Sequence, residues 1–325
     1  MTFPKPREAM RVSVLDTSPI VQGSTAREAL RNSLDLAMLA EELGFHRYWV
    51  PEHHSMRGVA SCAPAVVVGR IAAATERIRV GAGGVLLPNH APIVVAEQFG
   101  TLEAFHPGRI DLGLGRALGG PPRAADAVRG ERERTAKSFE EQVTELLRYF
   151  TGGQRISAVP AVGNVPAVWL LGSSGRSAEL AGSLGLGYAF AHHLKPENAV
   201  AALGSYRGSR TLVSVSVIVA DTDAEAEFLA GSTRLKVLSR VRGRRIQLPS
   251  PADAAAYPYT DSDRAEIAAR SDGVLVGSPD TVRELLQAVV DETGTTELML
   301  TTPVYDHEAR RRSYELVGKI APTLG

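Results

Sequence analysis

The stretch that decides the fold is residues 77–117, RIRVGAGGVLLPNHAPIVVAEQFGTLEAFHPGRIDLGLGRA. It opens with an apolar run at 77–88, continues with a longer segment of helical pattern at 92–108, and ends in a second apolar run at 109–117. A strand, a helix and a strand in this order predict a βαβ unit with two parallel strands.

The same alternation extends from this stretch towards both ends of the chain. Eight strands are predicted, within residues 11–19, 46–53, 77–88, 109–117, 165–174, 188–193, 211–221 and 297–305. Helical patterns separate them, so the expected fold is an α/β (β/α)8 TIM barrel, with insertions after strands 4 and 7. A doubly wound open sheet is the alternative, although no G-x-G-x-x-G opens its first crossover. Residues 151–166 are expected to form a small hairpin.

Length and composition limit the class of protein. The chain has 325 residues, 44% of them hydrophobic, and 36 Lys+Arg against 36 Asp+Glu. This length suits one barrel domain over residues 1–325, and a formal net charge of zero gives no field that would attract nucleic acid or an anionic membrane. The single cysteine, Cys62, excludes an internal disulfide framework. We see neither a signal peptide nor a long apolar run, so we expect a cytoplasmic protein without a membrane span.

Polar side chains follow the predicted strands where each strand ends, and in a barrel the chemistry lies at that face. The set contains Asp16, Thr17, Ser18, Glu52, His53, His54, Asn89, His90, Arg116, Ser173, Ser174, His192, His193, Tyr305 and Asp306. In WVPEHHS (49–55) a glutamate and two histidines end strand 2. Neighbouring strand residues point to opposite sides, so at most some of the three enter a pocket. Histidine pairs of this kind are as often hydrogen-bonded loop residues as they are sites.

The stretch GSSGRSAELA (172–181) follows a strand and opens a helix. Such a turn presents backbone N–H groups to an anion, and Ser173, Ser174 and Arg176 add further donors. An ordinary capped loop is the alternative interpretation, because the stretch is not a Walker motif.

Glycines and an arginine near the ends of strands 3 and 4 also point to a ligand. Glycine inside the strand GAGGVLLP (81–88) favours either a flat ring lying against the backbone or tight packing of the barrel. Arg116 ends an apolar strand, where a guanidinium needs an anion or a salt bridge to Glu52 or Asp16.

These residues resemble the bacterial luciferase-like flavin monooxygenases, especially the MsnO-type branch of natural-product pathways. The similarity is carried by SVLDTSP, NSLDLAMLAEELGFHRYWVPEHH, residues 78–117, VWLLGSSGRSAELA, YAFAHH, VGSPDTVRELL and ELMLTTPVYDH. It extends over about residues 11–320.

The resemblance implies an FMN-dependent monooxygenase, usually a homodimer, that binds FMN at the mouth of the barrel. A separate flavin reductase would supply reduced FMN, and its reaction with O2 would give a flavin C4a-peroxide that oxygenates a substrate. His53 takes the catalytic position, as general base or hydrogen-bond partner. Glu52 is the expected orienting residue, and His54 could serve either role.

The resemblance also assigns the cofactor contacts. A non-proline cis peptide is expected between Gly83 and Gly84, against the flavin ring, and Arg116 is expected near the flavin or its phosphate. The complete expected set is Gly83, Gly84, Arg116, Gly172, Ser173, Ser174, Gly175 and His192.

The sequence departs from the family pattern where loops would cover the pocket. It has GRALGGPPRA after strand 4, where close relatives usually have GRAPGTD, and a basic stretch at 241–251. Segments 118–133 and 242–262 are candidate lids. The substrate is therefore predicted only as a neutral, largely hydrophobic organic molecule, such as a polyketide intermediate, and hydroxylation, epoxidation and Baeyer–Villiger insertion stay open.

Three alternatives to this function are kept. The first is a metal-dependent barrel hydrolase using Glu52, His53, His192 and Asp306, although adjacent histidines fit the usual H-x-H pattern poorly. The second is a non-catalytic flavin-binding relative, against which the presence of Glu52, His53 and Arg116 argues. The third is a deazaflavin-dependent enzyme of the same superfamily that transfers hydride.

Overall fold

Strands and helices alternate along most of the chain. The computed structural model describes residues 10–117, 119–129, 137–152, 154–270 and 273–325. The strands are β1 (Arg11–Leu15), β2 (Arg47–Val50), β3 (Arg79–Leu86), β4 (Ile110–Gly115), β5 (Ala167–Gly172), β6 (Gly187–Phe190), β7 (Thr211–Val219), β8 (Val274–Gly277) and β9 (Glu297–Thr301). The helices are α1 (Ala26–Glu42), α2 (Pro64–Ala72), α3 (Pro92–Phe105), α4 (Pro122–Arg129), α5 (Phe139–Thr151), α6 (Gly175–Ser183), α7 (Ala199–Gly204), α8 (Asp223–Val241), α9 (Pro251–Ala255), α10 (Asp261–Ala268), α11 (Pro279–Thr293) and α12 (His307–Ile320).

Eight of these strands close into a parallel barrel. Strands β1 to β6 pair in sequence order, β7 pairs with β9, and β9 pairs with β1. The pairing of β6 with β7, from Tyr188 opposite Thr211 to Phe190 opposite Val213, joins the two ends of the sheet. The predicted (β/α)8 barrel is therefore confirmed, and the open-sheet alternative is wrong because a closed barrel has no sheet edge at β6.

Strand β8 lies outside this ring and pairs only with the second half of β7, from Ser216 opposite Val274 to Val219 opposite Gly277. The pairing of β7 with β9 ends at Ser216, so the last residues of β7 extend past the barrel and accept β8 instead. The sequence analysis did not predict this strand. The apolar run VLVG, bounded by Gly273 and by Ser278-Pro279, carries the strand signal in full.

The connections after β4 and β7 contain more than one helix. Helices α4 and α5 follow β4, and α8, α9 and α10 separate β7 from β8. The segment 242–262 lies against the loop after β1, where Val21 bridges Leu248 and the Gln22 N–H donates to the Leu248 carbonyl at 2.9 Å. The hairpin predicted at 151–166 is wrong, because its described residues form the end of α5 and turns, without a strand.

Charged and aromatic side chains fill the amino-terminal end of the barrel interior. Arg47 donates to Asp111 Oδ2 at 2.9 Å and to Glu297 Oε2 at 3.0 Å. Two residues further along β2, Trp49 packs edge to face on Trp169, with ring centroids 5.7 Å apart. Buried charges are costly unless they are paired, so this satisfied network closes one end of the barrel. The accessible interior lies at the carboxyl ends of the strands.

None of the described helices is long and apolar enough to cross a membrane. The structure contains one chain, so the expected homodimer stays a prediction. The extent of the domain over residues 1–325 and the cytoplasmic location also stay predictions.

Candidate functional site

A cavity of about 1060 Å³ opens at the carboxyl ends of the barrel strands. Its floor consists of apolar side chains of the barrel interior, Leu15, Trp49, Leu171, Ala189, Leu212 and Met299. Its wall carries polar residues, among them Thr17, Glu52, His53, Arg116, Ser173, Ser174, Arg176, His193, Ser214 and Thr301. An apolar floor below a few polar groups is typical of a site for a small organic ligand or cofactor.

The turn after β2 is fixed by three consecutive backbone N–H groups that donate to three different parts of the wall. Glu52 donates to the Gly84 carbonyl at 3.2 Å, His53 to the Ser61 carbonyl at 3.0 Å, and His54 to the Gly119 carbonyl at 2.8 Å. The acceptors lie in β3, in the loop after β2 and in the loop after β4. The backbone position of His53 is therefore fixed by three separate segments of the cavity wall.

The Glu52 carboxylate is buried, at 2% exposure, and accepts hydrogen bonds from four partners. These are His54 Nε2 at 2.7 Å, His90 Nε2 at 2.9 Å, the Leu86 N–H at 2.9 Å and Asn89 Nδ2 at 3.2 Å. Burial raises the pKa of Glu52, but these hydrogen bonds and the charge of His90 outweigh it, so the pKa is lowered. Glu52 is an ionised residue that positions its neighbours, and His54 is engaged in the same cluster.

His53 differs from both neighbours, because its ring lines the cavity and its Nδ1 is buried without a hydrogen-bond partner among the described residues. A buried imidazole nitrogen without a partner is energetically unfavourable. Burial lowers the pKa of His53 below its ordinary value of 6.5; the charge of Glu52 opposes this change and that of His54 adds to it. His53 is therefore neutral at pH 7 and able to accept a proton.

This lowered pKa gives a testable prediction for the ligand-free protein. In a proton NMR titration, the imidazole of His53, assigned by comparison with His53→Asn, should titrate with a midpoint below 6.5. The unfolded chain binds this proton more readily, so His53 costs folding free energy as pH falls below 6.5, and the cost is absent above it. A midpoint above 6.5 would contradict the burial of the ring.

The glycines of β3 pack closely against β4 and also border the cavity. The peptide bond between Gly83 and Gly84 is cis, which confirms the prediction. A Cβ on Gly84 would lie 2.6 Å from the Gly113 carbonyl oxygen, so packing against β4 is one reason for glycine there. Gly83 and Gly84 both line the cavity, so the other interpretation, a ligand against this backbone, stays open.

The turn after β5 places the start of α6 at the cavity wall. Ser174 is the N-cap residue of α6, but its side chain makes no capping bond, so the first N–H groups of the helix keep their donor capacity. Ser173, Ser174 and Arg176 line the cavity beside them. Asn198 Nδ2 donates to the Ser173 carbonyl at 3.1 Å and thereby fixes the turn. Uncapped N–H groups, hydroxyls and a guanidinium are groups of the kind that bind an anion, so the predicted phosphate site stays a prediction.

Arg116 lines the same cavity and is exposed. It makes no ion pair with Glu52 or Asp16, which removes the structural alternative for this residue. Asp16 is instead buried behind β1, where it accepts from Arg310 Nη2 and from the Tyr48 hydroxyl, each at 2.6 Å. The arginine at the cavity is thus available to a ligand.

Of the two histidines that end β6, His193 lines the cavity and His192 does not. His193 Nδ1 lies 2.9 Å from Ser214 Oγ, whereas His192 is buried against the ring of Phe190. The sequence analysis put His192 in the cofactor set. In YAFAHH the small residues Ala189 and Ala191 line the cavity with His193, so the two-residue period could have identified the histidine that lines it.

The residues of the alternative metal site do not form a metal-binding group, and one of the two candidate lids does not line the cavity. No group of three or more metal-ligating side chains that could hold a metal ion occurs within the described residues, and the Asp306 carboxylate caps α12 through the Ala309 N–H. The segment 242–262 contributes no residue to the cavity wall. In the other candidate lid, 118–133, residues 118 and 130–133 lie outside the described residues, and Gly119 lines the cavity.

The fold is a (β/α)8 barrel, and the cavity at its mouth is the candidate site. The sequence profile of the luciferase-like monooxygenases matches residues 10–297, and the chain belongs to this family. The luciferase-like monooxygenase of Escherichia coli (strain K12) is 42% identical over 325 residues, which cover 96% of this chain and 97% of the relative. The prediction of a flavin-dependent monooxygenase is thus confirmed at the level of the family.

Two solved structures are similar to this chain. The structure of apo-MsnO8 superposes with a TM-score of 0.89 at 37% identity and covers 96% of this chain and 98% of that one. The oxygenating constituent of 3,6-diketocamphane monooxygenase from Pseudomonas putida, a type II Baeyer–Villiger monooxygenase in complex with FMN, has a TM-score of 0.73. Its identity is 23%, with coverage of 98% and 99%, so this likeness is one of fold.

Proposed function

We propose that the chain is an FMN-dependent monooxygenase that receives reduced FMN from a separate reductase and uses O2 to oxygenate a small, largely hydrophobic organic molecule. The observation that carries the proposal is that His53 lines the same cavity as the uncapped start of α6. His53 could contact a flat ring system, and the start of α6 could bind the phosphate of the same molecule.

The residues of the cavity suit FMN at both ends of the molecule. The N–H groups at the start of α6, with Ser173, Ser174 and Arg176, would hold the phosphate. The apolar floor around Trp49 and the backbone of Gly83 would contact the isoalloxazine ring. The FMN-bound diketocamphane relative shares the fold, which supports this choice of cofactor.

Reduced flavin supplies the electrons that activate O2, and this chain's residues control protons and water around it. Neutral His53 lines the cavity and would accept a proton or a hydrogen bond there. His193, held by Ser214, presents a second ring to the same cavity. The floor residues Leu15, Leu212 and Met299 keep water from the interior, which limits wasteful formation of H2O2.

The experiment that tests the proposal combines the purified chain, FMN, NADH, a flavin reductase and ¹⁸O2 with a set of hydrophobic metabolites and thioethers. We expect one ¹⁸O atom in the product and the other in water, detected by mass spectrometry. Failure of the chain to bind FMN in either redox state would reject the proposal, as would consumption of reduced FMN to H2O2 alone across the set.

Removing the hydroxyls of the α6 turn should weaken cofactor binding. The double variant Ser173→Ala, Ser174→Ala loses two donors to a charged group, so its Kd for FMN should rise about tenfold or more. Because Ser174 makes no capping bond, α6 itself should keep its stability. The Kd is measured by flavin fluorescence quenching, with riboflavin as the control ligand. Equal losses for riboflavin and FMN would remove these serines from the phosphate site.

A further inference from the structure

The cavity continues beyond the turn that would hold the phosphate. Arg176, Glu179, Leu180 and Ser183 all line it, and their spacing places them on one face of α6 over two turns, about 10 Å. The start of α5, with Ser138, Phe139 and Glu140, lines the same cavity. We call this extension the α5–α6 groove. A terminal phosphate contacts only the first turn of α6. The groove therefore has room for a further group attached to that phosphate.

The charge of the α5–α6 groove is acidic after the first turn of α6. Its described lining holds the carboxylates Glu140 and Glu179, both exposed, and past Arg176 no described basic residue lines it. Lys137, next to Ser138, is paired with Glu145 at 2.7 Å. A ligand whose phosphate carries a longer anionic chain would meet two like charges there.

Deazaflavin and flavin cofactors differ at this point of the molecule. FMN ends at its phosphate, whereas in the deazaflavin F420 the phosphate is a diester that continues through lactate into glutamate residues, each with a carboxylate. We propose that Glu140 and Glu179 make the α5–α6 groove selective for a cofactor that ends at the phosphate. The inference rests on the proposed function and deepens it, because it separates FMN from the deazaflavin alternative.

Four ligands separate the two ends of the cofactor without any assay of activity. The ratio of the Kd values of riboflavin and FMN gives the contribution of the phosphate to binding. The ratio of the Kd values of the tail-free deazaflavin nucleoside and F420 gives the combined contribution of the phosphate and the tail. For the wild-type chain we expect FMN to bind at least about tenfold more tightly than riboflavin. F420 should bind no more tightly than its nucleoside, because repulsion along the groove offsets the gain from its phosphate.

Reversal of the two charges tests the residues themselves. In the double variant Glu140→Lys, Glu179→Lys, the affinity for F420 should rise about tenfold or more at low ionic strength, and the gain should shrink in high salt. Riboflavin and the deazaflavin nucleoside should bind as before. Glu140→Gln, Glu179→Gln should give a smaller gain, and this variant avoids a cation in the first turn of α5. The matched control is Glu284→Lys, on α11, whose side chain is 74% exposed and outside the groove.

The outcomes distinguish this inference from the proposed function. If the wild-type chain binds F420 much more tightly than the nucleoside, or if the double variants leave F420 affinity unchanged, selectivity by the groove is overturned while FMN binding stands. If FMN binds no better than riboflavin, the phosphate site fails, and the proposed function fails with it.

Discussion

Replacement of His53 by asparagine should leave FMN affinity close to that of the wild type and reduce coupled oxygenation by about 10²–10⁴-fold, the usual contribution of a positioned acid–base group. Asparagine fits the space and keeps the backbone N–H that donates to Ser61. It removes the imidazole, the group able to gain a proton. Product yield per reduced FMN and H2O2 release are the measurements, and the ratio should move towards H2O2.

A second histidine variant supplies the comparison. His106→Asn changes the C-cap residue of α3, away from the cavity, and should leave both product and H2O2 unchanged. Wild-type coupling in His53→Asn would show that His53 has no part in the chemistry. A loss of FMN binding in the same variant would instead indicate that the ring holds the cofactor.

Glu52→Gln should lower the free energy of unfolding by about 3 kcal/mol, because it replaces a buried, ionised carboxylate that accepts hydrogen bonds from His54, His90 and the Leu86 N–H. Urea denaturation at pH 7 measures the change. The exposed variant Glu284→Gln is the control and should stay within about 0.5 kcal/mol of the wild type.

The pH dependence of this difference follows from the lowered pKa of Glu52. Since the folded value lies below the ordinary 4.5, the stabilising contribution is complete above pH 4.5 and is lost as the pH falls through the folded pKa. The gap between wild type and Glu52→Gln should therefore be constant near neutrality and close in acid. A gap that persists unchanged at low pH would mean that the charge of Glu52 has no part in its effect.

The barrel could be predicted because its evidence is local. Each strand is an apolar run bounded by turn residues, and the order of strands and helices leaves few topologies. Glu52 and His53 could be placed at the mouth for the same reason, since they end a strand. The cis peptide at Gly83–Gly84 followed from resemblance to the family and not from the physics of the stretch.

Contacts between distant parts of the chain could not be predicted. Asp16 was expected at the mouth with the other residues that end strands, but it pairs with Arg310, 294 positions away, behind the barrel. The binding of Glu52 by His90 depends on the conformation after β3, which no local pattern specifies.

His192 was chosen over His193 although the two-residue period of β6 was available. The short strand β8 was also missed, although the apolar run VLVG was available.

The three amides at 52–54 have a consequence for any attempt to change substrate preference by exchanging loops with homologues. Their acceptors, Gly84, Ser61 and Gly119, belong to three segments that a loop exchange would replace one at a time. A transplanted segment that moves one of these carbonyls also rotates the imidazole between them. Diversity is therefore better introduced at floor positions such as Leu15, Leu212 and Met299, which reshape the interior and leave the orientation of His53 intact.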